Sequence, residues 1–146
     1  MWAMQVFISS AMLAEIQRLA LADAAQEICG ILFGLNGRVS SYRATQNVAR
    51  DPRRHFEIDP ASLIAAEKKQ RSGGVNILGY YHSHPTGTVH PSKTDAQSAA
   101  PDGRIWLIVN GQDAAAWRAV DEGKNYGRFD AIELDCFDAK GQIAAE

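Results

Sequence analysis

Apolar positions recur along this chain in two rhythms, one of helices and one of strands. Residues 4–8 alternate weakly and predict a short strand. Ser9 or Ser10 then suits an N-cap. Met12, Leu13, Ile16, Leu19 and Ala20 follow at helical spacing, which predicts a helix over about 11–25 with this stripe facing a core. Residues 28–35 form a continuous apolar run with two glycines, too short for a typical helix and suited to a buried strand. Asn36-Gly37 is a hairpin signal, so 38–46 should return as the partner strand. Residues 47–54 are polar, contain Asp51-Pro52, and predict a loop. Residues 55–58 predict a short strand. Asp59-Pro60 caps a helix that runs to about 71, where Gly73-Gly74 ends it.

The second half begins with a central strand over 75–81. A loop over 83–91 leads to a short helix near Ser92, which Pro101-Asp102-Gly103 stops. Residues 104–109 are strongly strand-like, and Asn110-Gly111 is a second hairpin signal, with 114–121 as the return strand. A turn over 122–125 precedes one or two strand segments over 126–137, and 138–146 should be a loose tail. Strands and helices mix irregularly, so the expected class is α/β in the mixed α+β sense, with a mostly antiparallel sheet. With no linker or repeat, 1–137 reads as one domain.

Composition narrows the function. A net charge of -2 provides no electrostatic footprint for nucleic acid or an anionic membrane. No apolar run approaches a membrane span, and residues 1–9 lack the basic start of a signal peptide. The two cysteines, Cys29 and Cys136, form no CxxC pair and suggest no disulfide framework. These features predict a soluble cytoplasmic protein. Oligomeric state is open.

The chemistry concentrates in His82-Ser83-His84-Pro85 and Ser92-Lys93-Thr94-Asp95. Side chains alternate along a strand, so His82 and His84 present both imidazoles on one side. Asp95, eleven residues later, can fold back as a third ligand. Two histidines and a carboxylate leave one tetrahedral position open, the pattern of a catalytic zinc site. Ser92-x-x-Asp95 also reads as a capping box with Asp in place of Glu. Ser92 could cap the helix and still donate to an oxyanion. A hydrolase needs a base beside the metal, and Glu27, at the expected end of the first helix, is the candidate. His90 is a weaker fourth ligand, His55 a strand residue without a metal role, and Cys29 a small buried hydrophobe.

His82-x-His84-Pro85 followed by Ser92-x-x-Asp95 resembles the signature of the JAMM (MPN-plus) metalloproteases. Glu27-Ile-Cys-Gly-Ile-Leu-Phe-Gly34 resembles an element of the family's short prokaryotic members, and looser similarity extends to residues 56–60 and 104–110. The resemblance implies one Zn2+ ion held by His82, His84 and Asp95. It implies Glu27 as general acid/base and Ser92 as the oxyanion-stabilising residue. The implied fold is a curved mixed sheet flanked by helices, similar to cytidine deaminase. The motif positions show no departure, so the ligand-deficient MPN-minus scaffolds match poorly. The implied activity is hydrolysis of a peptide or isopeptide bond at the C-terminal tail of a ubiquitin-like or sulfur-carrier protein.

Two other functions compete. One is a zinc-bearing module that binds such tails without cutting them. The other is a DNA-associated protein of the RadC type, disfavoured by the lack of a helix-hairpin-helix region and of surplus basic charge. A zinc nucleobase deaminase would need the H-x-E and P-C-x-x-C signature, which is absent.

Overall fold

The computed structural model describes residues 5–138 and 140. Seven strands and three helices alternate along them: β1 (Gln5–Ser9), α1 (Ser10–Ala22), β2 (Cys29–Leu35), β3 (Arg38–Thr45), α2 (Pro60–Arg71), β4 (Ile77–Ser83), α3 (Lys93–Ser98), β5 (Ile105–Val109), β6 (Ala114–Gly123) and β7 (Gly127–Phe137). The strands lie in the order β1-β3-β2-β4-β5-β6-β7, and the sheet curves until β7 pairs with β1.

Four pairings are antiparallel and three are parallel. The sheet is therefore mixed, with less antiparallel dominance than the sequence suggests. The parallel contacts come from β1, which accompanies both β3 and β7, and from β4 beside β5. β1 meets β3 at a single register position, Phe7 opposite Arg38, but runs beside β7 over five residues.

Local chemistry explains most boundaries. Ser9 caps α1 by accepting the Met12 N–H, and Asp59 caps α2 by accepting that of Ser62, with Pro60 in the first turn. Asn36 and Gly37 both adopt positive φ, 53° and 78°, as the tight turn between β2 and β3 demands. Gly79 lets β4 approach β5 closely, since a Cβ there would overlap the Ile105 carbonyl oxygen.

Alternation sends successive side chains to opposite faces. Ile105, Leu107 and Val109 of β5 join one buried cluster, and Trp106 and Ile108 join the other. β5 is buried along its whole length, as expected of a strand covered on both faces. α1 contributes Ile16 and Ala20 to the first cluster, while α2 and α3 contribute Ala66 and Ala96 to the second. No helix among the described residues is long and apolar enough to cross a membrane.

Several expected boundaries move. α1 ends at Ala22, so Glu27 lies in a connection ahead of β2 and not on a helix end. Residues 55–58 form no strand; only Ile58 bridges, to Asn47, because the segment is held by side-chain hydrogen bonds instead of a ladder. β4 begins at Ile77 and carries on through Ser83. The second hairpin closes over four residues, because the Asn110 side chain accepts from the Gln112 and Asp113 N–H groups and widens the turn. The segment 126–137 is one long strand from Gly127, and most of the 138–146 tail lies outside the described residues.

Candidate metal centre

His82 belongs to β4, opposite Cys29 of β2 and beside Ile108 of β5, and is wholly buried. His84 follows one residue beyond the strand, where its N–H still donates to the Val109 carbonyl at 2.9 Å. The strand geometry thus survives long enough to aim both rings the same way. Their Nε2 atoms are 3.1 Å apart. Ser83 points away and does structural work. Its N–H donates to the Ile28 carbonyl, and its Oγ accepts the Ile28 N–H at 2.9 Å. This pair of hydrogen bonds pins the start of β2, and therefore Glu27, to the end of β4.

Asp95 arrives from the first turn of α3. The capping box forms in full: the Asp95 N–H donates to Ser92 Oγ at 3.0 Å, and the Ser92 N–H donates to Asp95 Oδ2 at 2.9 Å. The same carboxylate lies 3.2 Å from His82 Nε2 and 3.1 Å from His84 Nε2. One ligand-type atom from each of Glu27, His82, His84 and Asp95 falls within 4.8 Å of all the others, and all four residues are buried.

Each side chain is oriented from behind. His84 Nδ1–H donates to the Thr88 carbonyl at 2.7 Å, so Nε2 faces the cluster, as a donor to Asp95 when the ring is protonated and as a lone pair when it is neutral. The Phe56 ring stacks on His82 with centroids 4.3 Å apart, and Trp106 meets it edge-on. Glu27 is held through its backbone. Its N–H donates to the Pro52 carbonyl at 2.7 Å, and its carbonyl accepts from Asn47 Nδ2 at 2.8 Å.

Burial and charge set the protonation states. Burial raises the Glu27 carboxyl to about 7; His84 opposes the rise, while Asp95 and Asp51 reinforce it. Burial also acts to raise Asp95, but hydrogen bonds from both histidines and from Ser92 hold it well below the usual carboxylate range. Burial lowers His82. For His84, burial is outweighed by the bonds to Asp95 and Thr88, and its pKa rises.

The donor set fits a small divalent cation. Tetrahedral coordination with bonds of about 2.0–2.1 Å has ligand–ligand edges of about 3.3–3.4 Å, close to the observed 3.1–3.2 Å. Glu27 Oε1 is buried and has no hydrogen-bond partner, which is costly for a carboxylate unless a cation or a polar guest faces it.

The other sequence candidates lie elsewhere. His90 packs on Trp117 at 4.9 Å and stays out of the cluster. His55 sits next to Phe56, also outside it. Cys29 is buried with its thiol near Thr45 Oγ1, and Cys136 is half-buried; neither is in a disulfide. Sequence reasoning missed Asn47 and Phe56 as supports. A single Asn or Phe in a loop carries no spacing signal, and only the fold shows what it touches.

The family described as prokaryotic homologs of the JAB domain matches residues 9–121. A desampylase from Haloferax volcanii is 34% identical over 93 residues, covering 62% of this chain and 67% of that protein. A desampylase from Pyrococcus furiosus is 30% identical over 105 residues, covering 71% and 74%. A probable TtuB-protein conjugate cleaving protease from Thermus thermophilus is 28% identical over 119 residues, covering 82% and 78%. Among solved structures, a protein from Desulfitobacterium hafniense superposes with a TM-score of 0.75 at 23% identity, covering 91% of this chain and 93% of that one. A JAB1/MPN domain protein from Archaeoglobus fulgidus superposes with a TM-score of 0.57 at 18% identity, covering 89% and 97%. These last two likenesses concern the fold.

Proposed function

The chain belongs to the family of prokaryotic homologs of the JAB domain, and from that premise we propose that it is a zinc-dependent peptidase or isopeptidase, acting at the C-terminal tail of a ubiquitin-like or sulfur-carrier protein. The observation that carries the reading is the buried cluster of Glu27, His82, His84 and Asp95. The desampylases and the conjugate-cleaving protease among the relatives support the substrate class. One domain, 1–137, carries the activity, and the protein works in the cytoplasm.

In this reading His82, His84 and Asp95 hold the metal, and Glu27 is the base that stays out of the ligand set. A bound zinc ion would supply Lewis acidity toward a peptide carbonyl and toward water. Glu27 takes a proton from the attacking water and delivers it to the leaving amine nitrogen; the C–N bond breaks as the C–O bond forms, and the products are a carboxylic acid and an amine, which then exchange a proton to become carboxylate and ammonium. In the metal-free protein burial raises this carboxyl to about 7, the direction that strengthens it as a proton acceptor. Ser92 Oγ accepts the Asp95 N–H and keeps its own proton to donate toward the carbonyl oxygen as charge develops there. Phe56 and Trp106 keep water from the flank of His82. An apolar groove of about 470 Å³, lined in part by Phe56, Ile58, Leu63, Tyr80 and Trp106, adjoins His82 and offers a bed for an extended tail.

The test pairs metal analysis with cleavage of a sulfur carrier extended beyond its C-terminal Gly-Gly. The purified protein should contain about one zinc per chain and release the extension. Glu27→Gln should keep the metal and lose at least about 100-fold in kcat. A folded protein that takes up no zinc, or a Glu27→Gln variant that cleaves at the original rate, would refute the reading.

A further inference from the structure

The chain is electrically lopsided despite its small net charge. Residues 38–71 carry eight Lys or Arg and four Asp or Glu, whereas residues 102–138 carry four and eight. The positive part includes the loop that frames Glu27. Asn47 knits this loop together: its Nδ2 donates to the carbonyls of Glu27, Pro52 and His55, and its Oδ1 accepts the N–H groups of Ala49 and Glu57. Asp51 closes the turn by accepting the Arg54 and His55 N–H groups on its carbonyl. Arg50, Arg53 and Arg54 project from this fixed turn, and all three are exposed. None forms an ion pair among the described residues.

Exposed arginines without partners contribute little to folding, so their clustering calls for another role. The turn that bears them is hydrogen-bonded directly to the backbone of Glu27, so the three arginines are anchored on the segment that frames the cluster. We propose that Arg50, Arg53 and Arg54 form a docking surface for an acidic face of the substrate protein, next to the tail being cut. The proposal rests on the hydrolase reading and adds the charge of the partner to it. A short uncharged tail peptide lacks the acidic face that the arginines would hold, whereas a whole carrier brings one, and that difference separates a docking role from a purely structural one.

The experiment compares two substrates: an extended ubiquitin-like carrier with an acidic face beside its tail, and a short uncharged peptide with the same tail. Replacing all three arginines by serine should lower kcat/KM on the carrier by about tenfold, mostly through KM, and leave the peptide unchanged. Raising salt should do the same to the unaltered protein. Lysine at all three positions should retain most of the carrier rate. Equal losses on both substrates would make the turn structural and overturn the proposal, as would no loss on either. Binding of a single-stranded oligonucleotide that displaces the carrier and depends on the same arginines would assign the surface to nucleic acid instead. Titration of the carrier into Glu27→Gln, with and without the arginines, reads docking independently of turnover. A protein that cleaves neither substrate but binds the carrier through the arginines would leave the docking surface standing while refuting the hydrolase.

Discussion

Glu27 and Asp95 share one buried cluster, yet burial and neighbours leave them with opposite dependences on pH. The Glu27 carboxyl is raised, from 4.5 to about 7, so in the metal-free protein its ionisation opposes folding. The cost is absent below the unfolded pKa, grows as pH rises from about 4.5 to 7, and reaches on the order of 3 kcal/mol above that. Asp95 is lowered, so its contribution is in place above the usual carboxylate range and is lost on acidification. In urea unfolding of the metal-free protein, Glu27→Gln should therefore gain stability over the parent between pH 5 and pH 8. A stability difference that does not change with pH would contradict this account. His82, His84 and Asp95 were legible in the sequence because strand alternation and a capping box both leave spacing signals. Glu27 was legible as a residue but not in its place, since its position depends on Ser83 and Asn47 and not on a helix end.

At the scale of elements, the loop between β4 and α3 is strapped down at three successive carbonyls. Asn110 Nδ2 donates to Gly87, His84 Nδ1 to Thr88, and Trp117 Nε1 to Val89. Two of these ties come from β6 and from the turn before it, so the hairpin steadies His84 from outside the motif. Trp117→Phe keeps a ring at this site but removes the Val89 bond. It should weaken zinc binding by several-fold, read by competition with a chelator, while far-ultraviolet circular dichroism stays unchanged. Unaltered affinity would show that the strap is dispensable. None of this was legible in advance, because a glycine- and threonine-containing loop predicts only a turn-rich segment. Helices and hairpins were recovered well, since caps, the Asn36-Gly37 turn and apolar periodicity are local. The segment 55–58 was misread because its apolar residues serve the second core cluster and the flank of His82, with no neighbouring strand to form a ladder.

For the whole molecule, the decisive contact is the one between the first strand and the last. β7 pairs with β6 through its first half, up to Ile132, and with β1 over the five residues that follow, and its Phe129 is fully buried. A chain ending at Tyr126 should lose cooperative urea unfolding, even though every residue of the metal cluster is still present; a sharp transition in that truncated chain would refute this. The closure was not legible in the sequence because parallel pairing of distant segments leaves no local mark. It also has a consequence for how the protein is made. Synthesis delivers all four residues of the cluster by residue 95, but β1, which meets β3 at one register position, gains its five-residue ladder only with residues 133–137. The nascent chain therefore carries the whole cluster on a scaffold that has not closed.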